Sequence, residues 1–141
     1  MRMSSSSKPL LINRVLPSNL TAYLGLIDEI LVVLNEFGWS KEDVFGVHMA
    51  LEEALSNAVR HGNKHDPNKV VQVDCELSEK RFFVKICDEG PGYDPCKVPD
   101  CCADENLEVP GGRGLALMRA YMTTVELTDK GRCVIMEKLL N

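Results

Sequence analysis

The sequence predicts an α+β fold, a two-layer α/β sandwich in which helices cover one face of a mixed, mostly antiparallel sheet. Apolar residues recur at three- and four-residue spacing over two long stretches, and short β-branched and aromatic runs occur in neighbouring pairs separated by turn residues. The 141 residues, 45% of them hydrophobic and 26% charged, fit one globular domain. We expect a disordered tail over residues 1–8 and a single domain over residues 9–141.

Two amphipathic stretches predict the helical layer. The first covers residues 20–37 and ends before Gly38, a residue suited to the left-handed conformation that follows many helices. The second starts at Ser40, which with Asp43 resembles a capping box, and closes at Gly62 and Asn63. Its predicted buried stripe consists of Val44, Val47, Leu51, Leu55 and Ala58.

Five apolar runs predict the strands. Residues 10–16 form the first, which Pro17 ends, with Ser18 as a candidate cap of the first helix. The remaining runs form two hairpins, over residues 70–77 with 82–87 and over residues 123–127 with 133–139. Between the hairpins lie a short helix over residues 115–122 and, before it, a long loop over residues 88–114. A loop of this length in a small domain is usually functional.

The overall charge limits the classes of ligand. A net charge of −5 and a pI of about 5.2 argue against direct nucleic-acid binding by phosphate neutralisation. A small phosphate ligand stays compatible, because backbone N–H groups bind anions without basic side chains. No run reaches the ~18 apolar residues that a membrane span requires.

The six cysteines predict free thiols in a reducing cytoplasm. The serine-rich N-terminus lacks the apolar segment of a signal peptide. Cys75, Cys87 and Cys133 lie in apolar runs, where cysteine behaves as a small hydrophobe. A zinc site formed by the loop cysteines with His61 and His65 is disfavoured, because paired ligand spacing is missing. The loop cysteines are Cys96, Cys101 and Cys102.

Glu53 and Asn57 form the first candidate cluster. Four residues apart on a helix, they lie one above the other, away from the apolar stripe. A carboxylate beside a carboxamide suits a hard cation such as Mg²⁺ and an activated hydroxyl. Taken alone, the pair also fits a solvated helix face.

Asp88, Gly90 and Gly92 form the second cluster, directly after an apolar strand. Two glycines two residues apart allow a backbone to approach a ligand closely. The Asp88 carboxylate is placed to accept a hydrogen bond from an exocyclic amine. An acidic turn without a ligand fits the same residues.

The third cluster is a Gly-Gly-Arg-Gly run that leads directly into a helix beginning at Leu115. Free N–H groups at a helix N-terminus attract anions, and an arginine side chain adds charge suited to phosphate. A flexible hinge is the alternative. The run matches neither the P-loop nor the dinucleotide-binding motif. Its members are Gly111, Gly112, Arg113 and Gly114.

In combination, the three clusters resemble a known family. Glu-x-x-x-Asn on a helix, Asp-x-Gly-x-Gly after a strand and Gly-x-Gly before a helix look like the N, G1 and G2 boxes of the GHKL ATPases, which have the Bergerat fold. Glu-Ala-x-x-Asn-Ala-x-x-His-Gly and Gly-Gly-Arg-Gly-Leu-x-Leu-Met are similar to the anti-sigma-factor serine/threonine kinases of bacterial partner switching. The resemblance runs from about Leu11 to Leu139.

The resemblance implies ATP and Mg²⁺ as ligands and assigns roles to individual residues. Asn57 would bind Mg²⁺, Glu53 would act as general base towards a serine hydroxyl, and Asp88 would recognise the adenine amino group. The remaining residues would line the nucleotide or close over its phosphates, with residues 93–111 as a mobile lid. They are Gly90, Gly92, Gly111, Gly112, Arg113, Gly114 and Leu115.

The resemblance also implies the partners. Family members phosphorylate a serine of a small anti-anti-sigma protein of the STAS type, alternatively sequester a sigma factor, and commonly form homodimers. One departure is Gly131-Arg132-Cys133, where the family often has Gly-Thr-Thr. We expect Cys133 near the adenine, where its thiol is a weak donor. A non-catalytic nucleotide-dependent binding module, and a stand-alone histidine-kinase-like ATPase domain, are therefore kept as alternatives.

Overall fold

The computed structural model describes residues 8–92 and 112–141 and has the predicted two-layer architecture. The described residues form one five-stranded sheet and three α-helices, and the predicted fold class is confirmed. The predicted tail, apart from Lys8, and the predicted lid lie outside these residues. The elements are β1 (Leu10–Pro17), α1 (Leu20–Glu36), α2 (Lys41–Asn57), β2 (Val70–Leu77), β3 (Arg81–Cys87), α3 (Gly112–Tyr121), β4 (Thr124–Thr128) and β5 (Cys133–Leu139).

β3 is the central strand of the sheet. The order is β1-β2-β3-β5-β4, and each neighbouring pair is antiparallel. Alternate residues of the strands are buried, as expected for a sheet with one covered face. On β3 the buried residues are Phe82, Val84 and Ile86, so Asp88, the next residue of this alternation, follows directly beyond the strand.

The core lies between this face and the first two helices. Ile27, Ile30 and Leu34 of α1 and Leu51 and Leu55 of α2 are almost completely buried against the sheet. Each such side chain contributes on the order of 1.5–3 kcal/mol through burial. The spacing of these residues confirms the predicted amphipathic helices.

Helix starts show one confirmed prediction and one correction. The Ser40 hydroxyl accepts a hydrogen bond from the Asp43 N–H at 3.1 Å, so α2 has the predicted cap. The cap of α1 is Asn19, whose side-chain oxygen accepts from the Ala22 N–H, and the prediction of Ser18 was wrong. Ser18 is buried instead and donates to the Lys69 carbonyl at 2.6 Å, because β1 extends through Pro17.

The end of α2 is widened into a π-helical turn. This turn spans Ala58–Gly62 and ends at Asn63, whose N–H donates to the Ala58 carbonyl at 2.8 Å. Single π turns in α-helices often occur at functional sites. Here the turn directs the backbone of Gly62 towards the end of β3.

α3 and β4 differ from the predicted bounds. α3 begins at Gly112, three residues before the predicted start, so Arg113 and Gly114 belong to its first turn. β4 begins at Thr124, one residue later than predicted. A glycine-rich run does not predict a helix, because each glycine in a helix costs about 1 kcal/mol. No helix in the described part of the chain is long and apolar enough to cross a bilayer.

Cys87 and Cys133 form a disulfide, which contradicts the prediction of free thiols for these two residues. They are register partners on β3 and β5, with Cα atoms 4.1 Å apart. Strand pairing brings the two thiols together, which local sequence patterns do not reveal. Cys75 is a free, buried cysteine; burial raises the pKa of its thiol to about 12, so it stays protonated at neutral pH.

The disulfide generates a stability prediction. Cys87 and Cys133 are 46 residues apart, and the bond restricts the unfolded chain. We expect dithiothreitol to lower the free energy of unfolding by roughly 2–4 kcal/mol. Thermal and urea unfolding with and without reductant measure this change. A Cys87→Ser, Cys133→Ser double variant is the control and should lose the response to reductant. An equal response in both proteins would contradict the disulfide.

Candidate functional site

Glu53 and Asn57 face the first turn of α3. A Cβ atom added to Gly114 would lie 2.5 Å from Asn57 Nδ2 and 2.7 Å from Glu53 Cγ. These distances are shorter than a side chain tolerates, so only glycine permits this packing of α3 on α2. The structure thus brings the predicted helical pair next to the predicted glycine run.

The side-chain amide of Asn57 is incompletely satisfied. Its Nδ2 atom is the one buried side-chain nitrogen or oxygen without a hydrogen-bond partner among the described residues. An unpaired buried polar group costs about 1–3 kcal/mol and calls for an explanation. A bound phosphate oxygen or a metal-bound water would satisfy this amide, so Asn57 fits an Mg-nucleotide. The amide oxygen is a suitable Mg²⁺ ligand.

Asp88 lies directly below the π turn at the end of α2. A Cβ on Gly62 would overlap the Asp88 carboxylate, and a Cβ on Gly90 would overlap the Gly62 carbonyl. The Gly90 N–H donates to Asp88 Oδ1 at 2.8 Å, which fixes the carboxylate at the end of β3. Gly90 does not line the cavity and instead holds the Asp88 carboxylate in position.

Burial and charge act in opposite directions on Asp88. Burial is the largest effect and raises the pKa of its carboxyl group. The Gly90 N–H, and then the charges of Arg132 and Lys69, lower this pKa and favour the carboxylate. The Oδ2 atom of Asp88 accepts no hydrogen bond from the part of the chain that the structure describes, so it can accept one from a donor on a ligand.

A cavity of about 240 Å³ lies between α2, α3 and the end of the sheet. Three residues of the first two predicted clusters line it, Asn57, Asp88 and Gly92, together with Leu115, which directly follows the third cluster. Its remaining wall is mainly apolar, with a few polar groups, which is typical of a site for a flat organic ligand. The apolar wall includes Ile86, Met118, Leu127 and Val134, and the polar residues include His61, Lys64 and Arg132.

The other predicted residues lie around the cavity or outside the described range. Glu53 stands beside Asn57 against Gly114, next to the cavity wall. Gly112 begins α3, so the positive end of the helix dipole and its free N–H groups are next to the site. Gly111 and the loop cysteines lie outside the described residues. Within those residues, no three His, Cys, Asp or Glu side chains form a metal-binding group.

The structure adds Asn63, which the sequence patterns missed. Asn63 is fully buried, and its side chain accepts from the Glu89 N–H at 2.7 Å. It also donates to the Ser18 hydroxyl and to the Val70 carbonyl, each at 2.9 Å. Asn63 therefore ties the residue after Asp88 to the ends of β1 and β2. The Gly-Asn pair had been assigned only a helix-ending role.

The expected position of Cys133 near the ligand was wrong. Cys133 is the register partner of Cys87. Its side chain points to the other face of the sheet from that of Val134, and it does not line the cavity. Because side chains alternate along a strand, the neighbouring Arg132 reaches the site instead. Its side chain contacts the loop that follows Asp88.

An acidic strand end, an amide-bearing helix and a helix N-terminus thus surround one cavity of an α/β sandwich. The chain belongs to the family of histidine kinase-like ATPase domains, whose family model matches residues 16–138. This match confirms the resemblance to the GHKL ATPases.

Named relatives define the group more closely. The chain is 32% identical over 129 residues to the serine-protein kinase RsbW of Bacillus subtilis (strain 168), covering 84% of this chain and 79% of the relative. It is 29% identical over 106 residues to the anti-sigma F factor of Clostridium perfringens (strain 13 / Type A), covering 71% and 75%. The chain is thus related to proteins named serine-protein kinase RsbW and anti-sigma F factor.

A solved structure supports the fold. The crystal structure of the RsbU and RsbW domains of a Mycobacterium tuberculosis protein matches with a TM-score of 0.61 at 16% sequence identity. The match covers 94% of this chain and 32% of that longer chain.

The packing of α3 on α2 yields a prediction. Gly114→Ala places a methyl group against Asn57 and Glu53, so we expect nucleotide affinity to fall and stability to drop by about 1–3 kcal/mol. Gly25→Ala is the matched control, because a Cβ there meets nothing within 4 Å. This helical replacement should raise stability by about 0.5–1 kcal/mol. Thermal unfolding and ATP titration measure both. Unchanged stability of Gly114→Ala would contradict the described packing, and unchanged affinity would contradict a nucleotide at this contact.

Proposed function

We propose that this protein is an anti-sigma regulatory factor with Mg-ATP-dependent serine/threonine protein kinase activity. Its substrate would be a serine of a small STAS-type anti-anti-sigma protein, and its alternative partner would be a sigma factor. The observation that carries the proposal is the single cavity lined by Asn57, Asp88 and Leu115, with the start of α3 beside it. The names of the relatives support the same activity.

The cavity suggests how each end of ATP would be held. Asp88 would accept a hydrogen bond from the adenine amino group, and the apolar wall around Ile86 and Val134 would contact the ring. Gly92 and Leu115 would border the nucleotide, while Gly90 would hold Asp88 in place. The specificity would come from the carboxylate, because apolar contact alone discriminates poorly between bases.

The phosphate end would lie between α2 and α3. The N–H groups of Gly112, Arg113 and Gly114 belong to the first helical turn and favour an anion. Asn57 would hold Mg²⁺, which supplies charge neutralisation at the phosphates when bound. Its buried, unpartnered amide supports this role. Gly111 and the lid over residues 93–111 stay predictions.

Glu53 is proposed as the general base. It lies one helical turn before Asn57 and contacts the position of Gly114, so it stands beside the phosphate end of the site. Its side chain is only half-buried, which leaves it accessible to a serine of a partner. A carboxylate in this position would accept the hydroxyl proton as the serine oxygen attacks.

The two alternative functions, a non-catalytic binding module and a stand-alone ATPase domain, have less support than the kinase. A non-catalytic binding module was motivated by Cys133, which lies away from the cavity. A stand-alone histidine-kinase-like ATPase domain would share the family match, but the named relatives are a serine-protein kinase and an anti-sigma factor. We also propose a cytoplasmic location, since a sigma factor acts there. We further propose a homodimer. The Cys87–Cys133 disulfide is unusual for this location, because cytoplasmic thiols are normally kept reduced.

Phosphate transfer tests the proposed activity. The protein is incubated with ATP, Mg²⁺ and each STAS-type protein of its source organism, and phosphoserine is quantified by mass spectrometry. We expect Glu53→Gln to transfer phosphate on the order of 100-fold more slowly or worse while still binding ATP.

Glu52→Gln is the matched control, because Glu52 is exposed on the same helix and pairs with His48. It should transfer phosphate at the wild-type rate. Equal rates for Glu53→Gln and wild type would refute the role of Glu53. ATP binding without transfer to any STAS-type protein would favour the non-catalytic module.

A further inference from the structure

The side chain of Arg132 joins two loops at the mouth of the cavity. Its Nε donates to the Gly90 carbonyl at 2.8 Å, and its Nη2 donates to the Pro91 carbonyl at 2.9 Å. Its Nη1 contacts the Asp129 carboxylate at 3.3 Å. All three guanidinium nitrogens therefore have acceptors, two of them in the loop of residues 88–92. A planar arginine fork suits such a bridge better than any other side chain.

The turn between β4 and β5 needs external support. Asp129, Lys130 and Gly131 have φ values of 50°, 57° and 84°, so three consecutive residues are left-handed. This conformation is unfavourable for residues other than glycine. Gly92, also left-handed with φ 68°, contacts this turn, and a Cβ there would lie 2.8 Å from the Lys130 carbonyl oxygen. The two loops thus fix each other.

Arg132 also acts on Asp88 directly. The Asp88 N–H also donates to the main-chain carbonyl of Arg132 at 2.9 Å, a bond that any residue at position 132 would keep. The positive charge of Arg132 opposes the effect of burial on Asp88. The arginine therefore influences both the position and the charge of the proposed acceptor.

We infer that Arg132 is a positioning residue that fixes the loop of residues 88–92 and thereby sets the selectivity of the site for adenine over guanine. The inference rests on the proposed nucleotide-binding function. At purine position 6 adenine carries an amino donor and guanine a carbonyl acceptor, so a base held with this position towards Asp88 complements the carboxylate only if it is adenine. Selectivity then depends on how firmly that carboxylate is held.

Hydrogen–deuterium exchange of the nucleotide-free protein tests the positioning role. Arg132→Gln removes the fork, and we expect the amides of Gly90 and Gly92 to exchange about tenfold faster. Arg132→Lys keeps the charge with one donor nitrogen and should lie between Arg132→Gln and wild type. Arg14→Gln is the control, because this exposed arginine pairs with Glu29 and loses the same charge. Unchanged exchange in Arg132→Gln would overturn the inference even if ATP binds.

Titration with ATP and GTP tests the selectivity. We expect Arg132→Gln to weaken ATP binding about tenfold and to change GTP binding much less, so the ratio of the two Kd values falls. A merely structural role, or a direct contact to phosphates, would weaken both nucleotides equally, and an unchanged ratio would overturn the inference. Absence of ATP binding by the wild-type protein would instead count against the proposed function and, with it, this selectivity.

Discussion

The close contact between the end of α2 and the end of β3 is the constraint on which the site depends. Gly62 and Gly90 bring the two backbones so near that a side chain on either would overlap the other segment. Because β3 is the central strand, this contact places Asp88 below the helix that carries Asn57. The π turn at Ala58–Gly62 directs the helix end into position. α3 covers the remaining side of the cavity, and its residues Leu115 and Met118 lie in the cavity wall.

The site retains polar groups that weaken the unliganded protein. Asp88 is disfavoured as a carboxylate by burial, and the amide nitrogen of Asn57 has no partner within residues 8–92 and 112–141. The unpaired amide nitrogen costs on the order of 1–3 kcal/mol. The core offsets them, since residues such as Phe82 and Leu51 are fully buried. By contrast, the buried Asn63 is fully hydrogen-bonded and has a supporting role. The unpaired Asn57 amide nitrogen is therefore available to a ligand, whereas Asn63 belongs to the scaffold.

Local patterns predicted what depends on local physics. Helical spacing was enough to place Glu53 and Asn57 together, and Ser40 was correctly predicted as a cap. The errors concern strand pairing and alternation, which no short window contains. Cys133 pairs with Cys87 and does not line the cavity, whereas the alternation of side chains brings Arg132 to the cavity wall. The buried network of Asn63 also joins segments far apart in sequence, and the early start of α3 at Gly112 depends on packing against α2.

The central claim is that Asp88 and Asn57 hold the two ends of one Mg-ATP. Calorimetric titration of ATP, with and without Mg²⁺, into wild type and Asp88→Asn tests it most directly. Asparagine keeps the size of the side chain and can still accept from Gly90, but it removes the carboxylate charge. The account predicts one saturable, Mg²⁺-dependent site in the wild type and affinity lower by about tenfold or more in the variant, which remains folded. Equal affinity of the two proteins, or a wild type that does not bind ATP, would contradict it.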